Sequence, residues 1–521
     1  MHMRNFFLTA GAAAALLGAA ACNNDSLTSL NNNPNAPVAV PPPTLFTTAA
    51  RLSAQRWIGN GYDLRGTEWV AQHLAEVQYP DEDDYKRLQA SSTTGWFDAP
   101  YYQELEDLNK VIGFAQVAKD PGSYAPALVL RTWDYDFLTD TFGDVPYSDA
   151  QKGDSSDAAL APKYDAQKDI YADFFKTLTD ASTALTSASN SLHAADPIYG
   201  GSTAKWQKFA NSLHARLAMR VVNVDPAQAD AELRAAFTAP GGVFTSNADN
   251  ATLPWPGDGV YNNPWSGNFQ GRDDHRMSQT LMNIMLASSD PRVPIYAQPT
   301  VADSTGKTYA GMPNGLTQAT ASVYFNTASR PGNIFYPGKT AYGTFSSAGL
   351  AQPSYFLTYA EVAFIQAEAA ERGLGGLTPA QAPGFYNAAI TASLNQWGVT
   401  SATTIADFLA QPDIAYKGGT PGLIQIATQK WIALYSDGGQ AWAEWRRTCQ
   451  PATLIPGPDA IINTVPRRFE YSNTEYSVNE ANVKAAVQAM GGADVFTTRM
   501  WWDTNPTAAP TYPGPSCGTR P

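Results

Sequence analysis

The chain has 521 residues, of which 44% are hydrophobic and 16% are charged, and its formal net charge is −13. This composition is typical of a globular protein, because a disordered chain has fewer aromatic residues and a higher charged fraction. The negative charge argues against nucleic acid or an anionic membrane as the main partner. Most of the 13 Trp and 25 Tyr residues are expected in a core, and the others are candidates for a ligand-binding surface.

The N-terminus has the organisation of a secretory signal. Arg4 precedes an apolar stretch that is too short to cross a bilayer as a helix, and small residues lead to a cysteine. The run Ala19–Cys22 resembles a bacterial lipobox, so we expect residues 1–21 to be removed and Cys22 to carry lipid. Asn23 replaces the aspartate of the inner-membrane retention signal, which favours the outer membrane.

The mature chain is predicted to be a tether followed by one domain. Residues 22–44 are rich in Asn and Pro, which favours an extended, solvated segment. Residues 45–521 are predicted to form a single domain. Its helical scaffold would comprise 45–240 and 351–500, and its loop-rich segment, 241–350, is dense in Gly, Pro, Asn and Trp.

Apolar residues recur three and four positions apart in a series of helical segments. These segments come in pairs of about 34 residues with a short break, which is the spacing of tetratricopeptide-type repeats. The breaks are irregular, so we expect a mostly α-helical scaffold of such pairs, with little β structure and no regular array. The predicted helices are 45–65, 67–77, 101–119, 124–138, 166–189, 204–222, 277–287, 355–372, 379–397 and 423–446.

Three cysteines are present. If Cys22 is acylated, Cys449 and Cys517 remain. In the oxidising compartment of an exported protein two remaining cysteines can pair, so we predict a disulfide between them.

The sequence contains none of the common catalytic motifs. It has no H-E-x-x-H, C-x-x-C, G-x-S-x-G or phosphate-binding loop. The acidic run Asp81–Asp84 lacks the spacing of a calcium loop and is expected to be solvated surface. His214, beside Arg216 in a predicted helix, is expected to be structural. We therefore predict no catalytic residue, metal or cofactor, although 47 acidic residues do not exclude a glycosidase-like carboxylate pair.

The segment DTFGDVPYSDA, residues 140–150, raises the question of a cation loop. Its carboxylates, on Asp140, Asp144 and Asp149, are four and five residues apart, whereas a cation loop alternates its ligands more closely. Gly143 tolerates positive φ, which is typical of a helix stop. We expect the three aspartates to cap and brace a turn.

The same eleven residues resemble the signature of the SusD/RagB family of outer-membrane nutrient-binding lipoproteins. Other segments agree in the expected order and cover essentially the whole mature chain. They include SLNNNPNAP (29–37), TAKWQKFANSLHARLAMRV (203–221), TYAEVAFIQAEAAERG (358–373), QKWIALYSDGGQAWAEWRRT (429–448) and the MWWD of the Trp-Trp-Asp-tailed branch (500–503).

The resemblance implies a non-catalytic, mostly helical protein on the cell surface. Such a protein covers a TonB-dependent SusC-type transporter and delivers captured glycan to it, or peptide in RagB-like members. The shared motifs concern the fold, so they identify no binding residue, and the cysteine pair departs from the family pattern. Two alternatives stay open: an exported, glycosidase-like hydrolase and a scaffold that docks other proteins.

Candidate ligand residues follow from the chemistry of sugars. Aromatic rings stack on the apolar C–H faces of a sugar, while Asn, Asp and Arg bond its hydroxyls. The tryptophans of the predicted helices, by contrast, should be in the core or face the transporter. The ligand candidates are Tyr79, Tyr85 and Trp96 between the early helices, and Trp255, Tyr261, Trp265, Phe269 and Arg272 in the loop-rich segment.

Overall fold

The computed structural model describes residues 40–153, 160–336, 347–504 and 517–519. The predicted signal, the lipobox and Cys22 lie outside these residues. The described part is mostly helical and contains six short strands. Within it, no helix combines the length and the apolar character needed to cross a bilayer.

α-Helices of eight residues or more make the scaffold. They pack as consecutive pairs, α2 with α3, α4 with α5 and α8 with α9, and α3 also contacts α4. This confirms the predicted tetratricopeptide-like pairing. In the described ranges these helices are α1 Pro42–Trp57, α2 Glu104–Val117, α3 Pro121–Phe142, α4 Gln167–Leu185, α5 Thr203–Arg220, α6 Pro226–Thr238, α7 Gln279–Ala287, α8 Tyr359–Arg372, α9 Ala382–Gln396, α10 Ala402–Leu409, α11 Gly419–Ala433, α12 Gly438–Thr448 and α13 Glu480–Ala489.

Three short antiparallel ladders are present in the described ranges, and the first and third attach the loop-rich segment to the rest of the chain. The first pairs β1 with β5, the second β2 with β3, and the third β4 with β6. The strands are β1 Leu74–Glu76, β2 Val145–Pro146, β3 Tyr164–Asp165, β4 Ala251–Leu253, β5 His275–Met277 and β6 Ser354–Leu357.

The core is rich in aromatic side chains and extends through most of the chain. A single buried cluster contains residues from Phe46 in α1 to Trp502 near the C-terminus. The tryptophans of the helices are expected in the core or facing the transporter, and the structure places Trp133, Trp206, Trp431, Trp442 and Trp445 in the core, each at most 1% exposed.

Two predicted helices are wrong, and a third, 45–65, is interrupted, because α1 ends at Trp57 and a separate π-helix covers Asn60–Thr67. The segment 67–77 contains only the short helix Glu68–Val70, because Gln72 has a φ of +55° and the chain then enters β1. The segment 423–446 contains two helices rather than one. Ser436 has a φ of +74° and the Asp437 carboxylate accepts a hydrogen bond from the Gln440 N–H, so a new helix begins there.

The segment 140–150 forms the end of α3 and the turn that follows it. Asp140 is buried and accepts hydrogen bonds from Tyr171 and Trp502, both at 2.7 Å. Asp144 accepts one from the backbone N–H of Gln167, at the start of α4, at 2.8 Å. These two aspartates brace the turn as predicted. Asp149 instead lies at the surface, 3.3 Å from the ammonium group of Lys152.

The turn requires glycine at position 143. Gly143 has a φ of +91°, and a Cβ there would lie 2.8 Å from the sulfur of Met490. We expect Gly143→Ala to lower the free energy of unfolding by about 1–3 kcal/mol, because the backbone conformation is strained for any L side chain. Urea unfolding followed by circular dichroism measures this loss. Gly113→Ala is the matched control, since Gly113 lies in α2 with nothing near its Cβ position. That variant should be slightly more stable than the wild type.

A network of buried ion pairs connects distant helices. Arg216 of α5 pairs with Glu361 of α8 at 2.7 Å. Glu444 of α12 is its centre, within 3.1 Å of three cations. We call the following residues the buried ion network: Asp140, Arg216, Arg220, Glu361, Glu368, Lys430, Glu444 and Arg447.

A disulfide joins Cys449, directly after α12, to Cys517, with 5.3 Å between their Cα atoms. Gly518 lies against the Trp445 ring, where a Cβ would be 2.3 Å from the nearest ring atom. Thr519 forms a bridge with Thr464. The C-terminal end of the described chain is therefore fixed to the helical scaffold.

Candidate functional site

The structure places five of the eight proposed ligand residues in the core. A ring that packs on both faces against protein presents no surface to a sugar, so for these five the expectation of a ligand contact is corrected. They are Tyr85, Trp96, Trp255, Trp265 and Phe269, each at most 8% exposed.

Local capping explains why the loop-rich segment buries its rings. The side-chain oxygen of Asn263 accepts hydrogen bonds from the backbone N–H groups of Trp265 and Ser266, which starts the short helix Pro264–Phe269. The Trp265 indole then donates to Asp63 at 3.0 Å. The composition of this segment indicated an exposed loop. The capping hydrogen bonds instead start a short helix, and its aromatic side chains face the core.

Tyr261 is exposed, and its contacts with described residues include none of the other candidate ligand residues. Its side chain is 46% exposed. Its turn is held by Asp258, whose carboxylate accepts from the N–H groups of Val260 and Tyr261 at 2.8 Å. The guanidinium of Arg51, in α1, lies 5.7 Å from the Tyr261 ring centre. Tyr261 stays a prediction.

Tyr79 and Arg272 are brought together, although 193 positions separate them in the sequence. Tyr79 is 53% exposed, and the Arg272 guanidinium lies 4.6 Å from its ring centre, a cation–π geometry. Arg272 also donates to Asp274 at 2.6 Å. We call this the Tyr79–Arg272 patch, and its ring offers one face to a ligand.

Acidic groups beneath the patch are buried, which corrects one expectation. Glu82, Asp83 and Asp84 are at most 4% exposed, because basic side chains such as Lys86 and Arg65 cover Asp84 and Glu82 and Asp83 bonds to interior groups. Asp83 accepts hydrogen bonds from Asn314 and Gly315 at 2.8 and 3.0 Å. Burial nevertheless raises its pKa to about 7. Of the four, only Asp81 is solvated surface as predicted.

Glu76, Asp274 and His275 form a compact group whose donor atoms lie within 4.8 Å of one another. Burial alone would raise the pKa of Asp274, but His275 and Arg272 hold it well below its usual value. The pKa of Glu76 is raised by burial and by Asp274. Arg272 thus already pairs with the two carboxylates of this group, which hold its guanidinium in place beside Tyr79.

A second surface is a cleft of about 490 Å³ beside α7. In the described residues its lining has no Asp, Glu, Lys, Arg or His. Apolar surface comes from isoleucines and prolines, among them Ile284 and Ile455. We call this the amide cleft. Its polar side chains are Gln72, Gln279, Thr280, Asn283, Asn314 and Thr453.

Two amide side chains of the cleft are available to form hydrogen bonds with a ligand. Gln279 and Asn283 are exposed, and they are four positions apart in α7, so they share one face. In the described part of the chain neither side chain has a hydrogen-bond partner. Gln72 instead braces the cleft, because its oxygen accepts from Thr280 at 2.6 Å and its nitrogen donates to the carbonyl of Ile455.

Sequence reasoning missed this cleft. The predicted helix 277–287 was correct within two residues, and the amides at positions 279 and 283 were visible in it. Nothing local indicated that this face, rather than the opposite one, would meet segment 453–458 from the C-terminal part of the chain. The missing information was a long-range contact.

A family model described as "Starch-binding associating with outer membrane" matches residues 34–472. No curated protein matches the chain at a significant level. Solved structures extend the likeness over nearly the whole chain.

A structure described as a chitin-binding protein is 28% identical, with a TM-score of 0.73, and the match covers 89% of this chain and 100% of that chain. A chitin-binding SusD homologue from Flavobacterium johnsoniae is 26% identical, with a TM-score of 0.73 and coverages of 89% and 98%. A SusD-like protein from Bacteroides thetaiotaomicron, at 24% identity, has a TM-score of 0.72 and coverages of 89% and 98%, and shares the fold. With the family model matching most of its length, the chain belongs to the SusD-like family.

Proposed function

We propose that the protein captures a neutral, N-acetylated glycan of the chitin type. The observation that carries the proposal is the amide cleft, whose described lining is polar without being charged. Two structures similar to this chain are described as chitin-binding, which supports the choice of ligand. The Tyr79–Arg272 patch supplies an exposed ring for stacking on a sugar face.

The chemistry of the cleft suits such a ligand. A side-chain amide both donates and accepts hydrogen bonds, as does the N-acetyl group of the sugar. The isoleucines and prolines offer apolar surface to the acetyl methyl and the C–H faces. Neutral partners also avoid the cost of desolvating a charge.

Our proposal places the protein on the outer membrane, held by lipid on Cys22, where it hands the glycan to a SusC-type TonB-dependent transporter. The family description associates its members with starch binding and the outer membrane. The proposed role is capture without catalysis, in keeping with a family of carbohydrate-binding proteins. No cofactor is required for it.

The test is calorimetric titration of chitotetraose into the mature chain carrying Cys22→Ser, which lacks the lipid. We expect saturable binding, and about tenfold weaker binding by the double variant Gln279→Ala/Asn283→Ala, because two hydrogen bonds of roughly 0.5–1.5 kcal/mol each are removed. Gln116→Ala is the matched control. Gln116 is an exposed helical amide of α2, away from the cleft lining.

Three outcomes would contradict the proposal. If the double variant binds chitotetraose with unchanged affinity, the amide cleft is not part of the binding site. Saturable binding of a peptide mixture without binding of chitotetraose would favour peptide capture. Release of new reducing ends from chitotetraose would favour the alternative that the protein is a glycosidase-like hydrolase.

A further inference from the structure

A second cavity lies on the helical scaffold, outside the surfaces described above. It measures about 390 Å³ and is enclosed by α2, α3, the start of α4 and the turn 147–152. We call it the scaffold pocket. It contains residues of the segment 140–150, for which the proposed function has no role.

The turn that closes the scaffold pocket is held on three sides. Ser148 donates from its backbone N–H and its hydroxyl to Asp165, at 2.6 and 2.9 Å. Tyr147 donates to Asp173 at 2.5 Å. Tyr135 donates to Gln151 at 3.2 Å. The pocket wall is therefore preorganised, and the carboxylates of Asp165 and Asp173 are already engaged.

Two charged side chains in the lining are not engaged in this way. Arg131, on α3, has no carboxylate within salt-bridge distance among the described residues, and its one hydrogen bond there is a long contact of 3.5 Å to Asn109. Asp169, on α4, has neither a side-chain hydrogen bond nor an ion pair in the same ranges. A guanidinium and a carboxylate are thus available on two helices that border one cavity.

The remaining charges limit the class of ligand. Lys152 lines the pocket together with Asp165 and Asp173, so both signs are present in its wall. A purely anionic ligand would meet three carboxylates, and a purely cationic one would meet Arg131 and Lys152. A ligand with one group of each sign can pair with both available side chains, and charge-assisted hydrogen bonds are the stronger kind.

We propose that the scaffold pocket binds a small zwitterion, an α-amino acid or a dipeptide, with its carboxylate on Arg131 and its ammonium group on Asp169. The volume accommodates a ligand of that size. The fork of the guanidinium suits bidentate pairing with a carboxylate. This site is separate from the amide cleft and does not depend on glycan capture.

The experiment compares four probes of nearly equal size with the lipid-free mature chain. They are Ala-Ala, its N-acetyl derivative, its C-terminal amide and the form blocked at both ends. Calorimetry is expected to show Ala-Ala binding, with each singly blocked form about tenfold weaker because it lacks one charge-assisted bond, and the doubly blocked form weaker still because it lacks both. Equal affinity for all four probes, or no binding of Ala-Ala, would overturn the proposal.

Variants separate binding from folding. Arg131→Gln should bind Ala-Ala and its amide equally well, and Asp169→Asn should lose the preference for the free ammonium group. A purely structural role would not remove one preference and leave the other. Lys176→Gln, on α4 and outside the pocket lining, should bind like the wild type. Asn283→Ala should also retain Ala-Ala binding, so failure here and failure of the glycan proposal are distinguishable.

Discussion

Replacing Glu444 by glutamine is expected to lower the free energy of unfolding by about 3–5 kcal/mol. Glu444 is 3% exposed and lies within 3.1 Å of Arg220, Lys430 and Arg447. Glutamine keeps the size of the side chain but removes its charge, which leaves three buried cations with too few anions. Urea unfolding at pH 7, followed by tryptophan fluorescence, measures the loss.

The effect also has a defined pH dependence. Burial alone would raise the pKa of Glu444, but Arg447, Lys430 and Arg220 hold it well below the usual value of 4.5. A carboxyl group whose pKa is lower in the folded protein than in the unfolded chain stabilises the fold at pH values above its unfolded-state pKa. This contribution is lost as the pH falls through its folded-state pKa. The difference between wild type and Glu444→Gln should therefore be full at neutral pH and shrink below about pH 4.5.

Glu480→Gln is the control for this experiment. Glu480 forms a single ion pair with Lys484 on the surface of α13, where such pairs contribute little. Its stability should match that of the wild type. If Glu444→Gln also unfolds at the wild-type urea concentration, the buried ion network does not stabilise the fold as argued.

Removing the disulfide with Cys449→Ser/Cys517→Ser is expected to lower the free energy of unfolding by about 4 kcal/mol. The bond closes a loop with a sequence separation of 68, and it restricts the unfolded chain more than the folded one. Urea unfolding of both proteins, each with and without a thiol reductant, measures the effect.

The unfolding measurements with reductant are the internal control. Wild type with reductant should approach the double variant, whereas the double variant should not respond to reductant. A wild-type protein whose stability is equal in both conditions would show that this bond contributes nothing.

The sequence predicted the helical scaffold well because its signals are local. Apolar spacing indicated α4 and α5, which the structure shows as a packed pair. The core position of Trp206 and Trp431 follows from the same periodicity. Resemblance to the SusD/RagB family then supplied the fold class, which spacing alone left as an irregular set of helix pairs.

The candidate site was harder to predict because exposure there depends on remote partners. Trp265 is buried by Asp63, Phe335 and Tyr435, none of which is near it in sequence. Tyr79 and Arg272, in contrast, were both proposed from composition, and the structure joins them. Local sequence indicates which residues are able to bind a sugar, whereas long-range packing decides which of them reach the surface.

The buried ion network has a consequence for the order in which the protein folds. Arg216 and Arg220 belong to the first half of the chain, and each pairs with one carboxylate of α3 and with one from α8 or α12. During synthesis the only carboxylate partners of these arginines already present, among the described residues, are Asp136 and Asp140 of α3, and the other two carboxylates arrive after about 140–220 further residues. Burying them earlier is unfavourable. We infer that the buried ion network is completed only when α12 has been made, so the helix pairs of the first half reach their final packing late in translation.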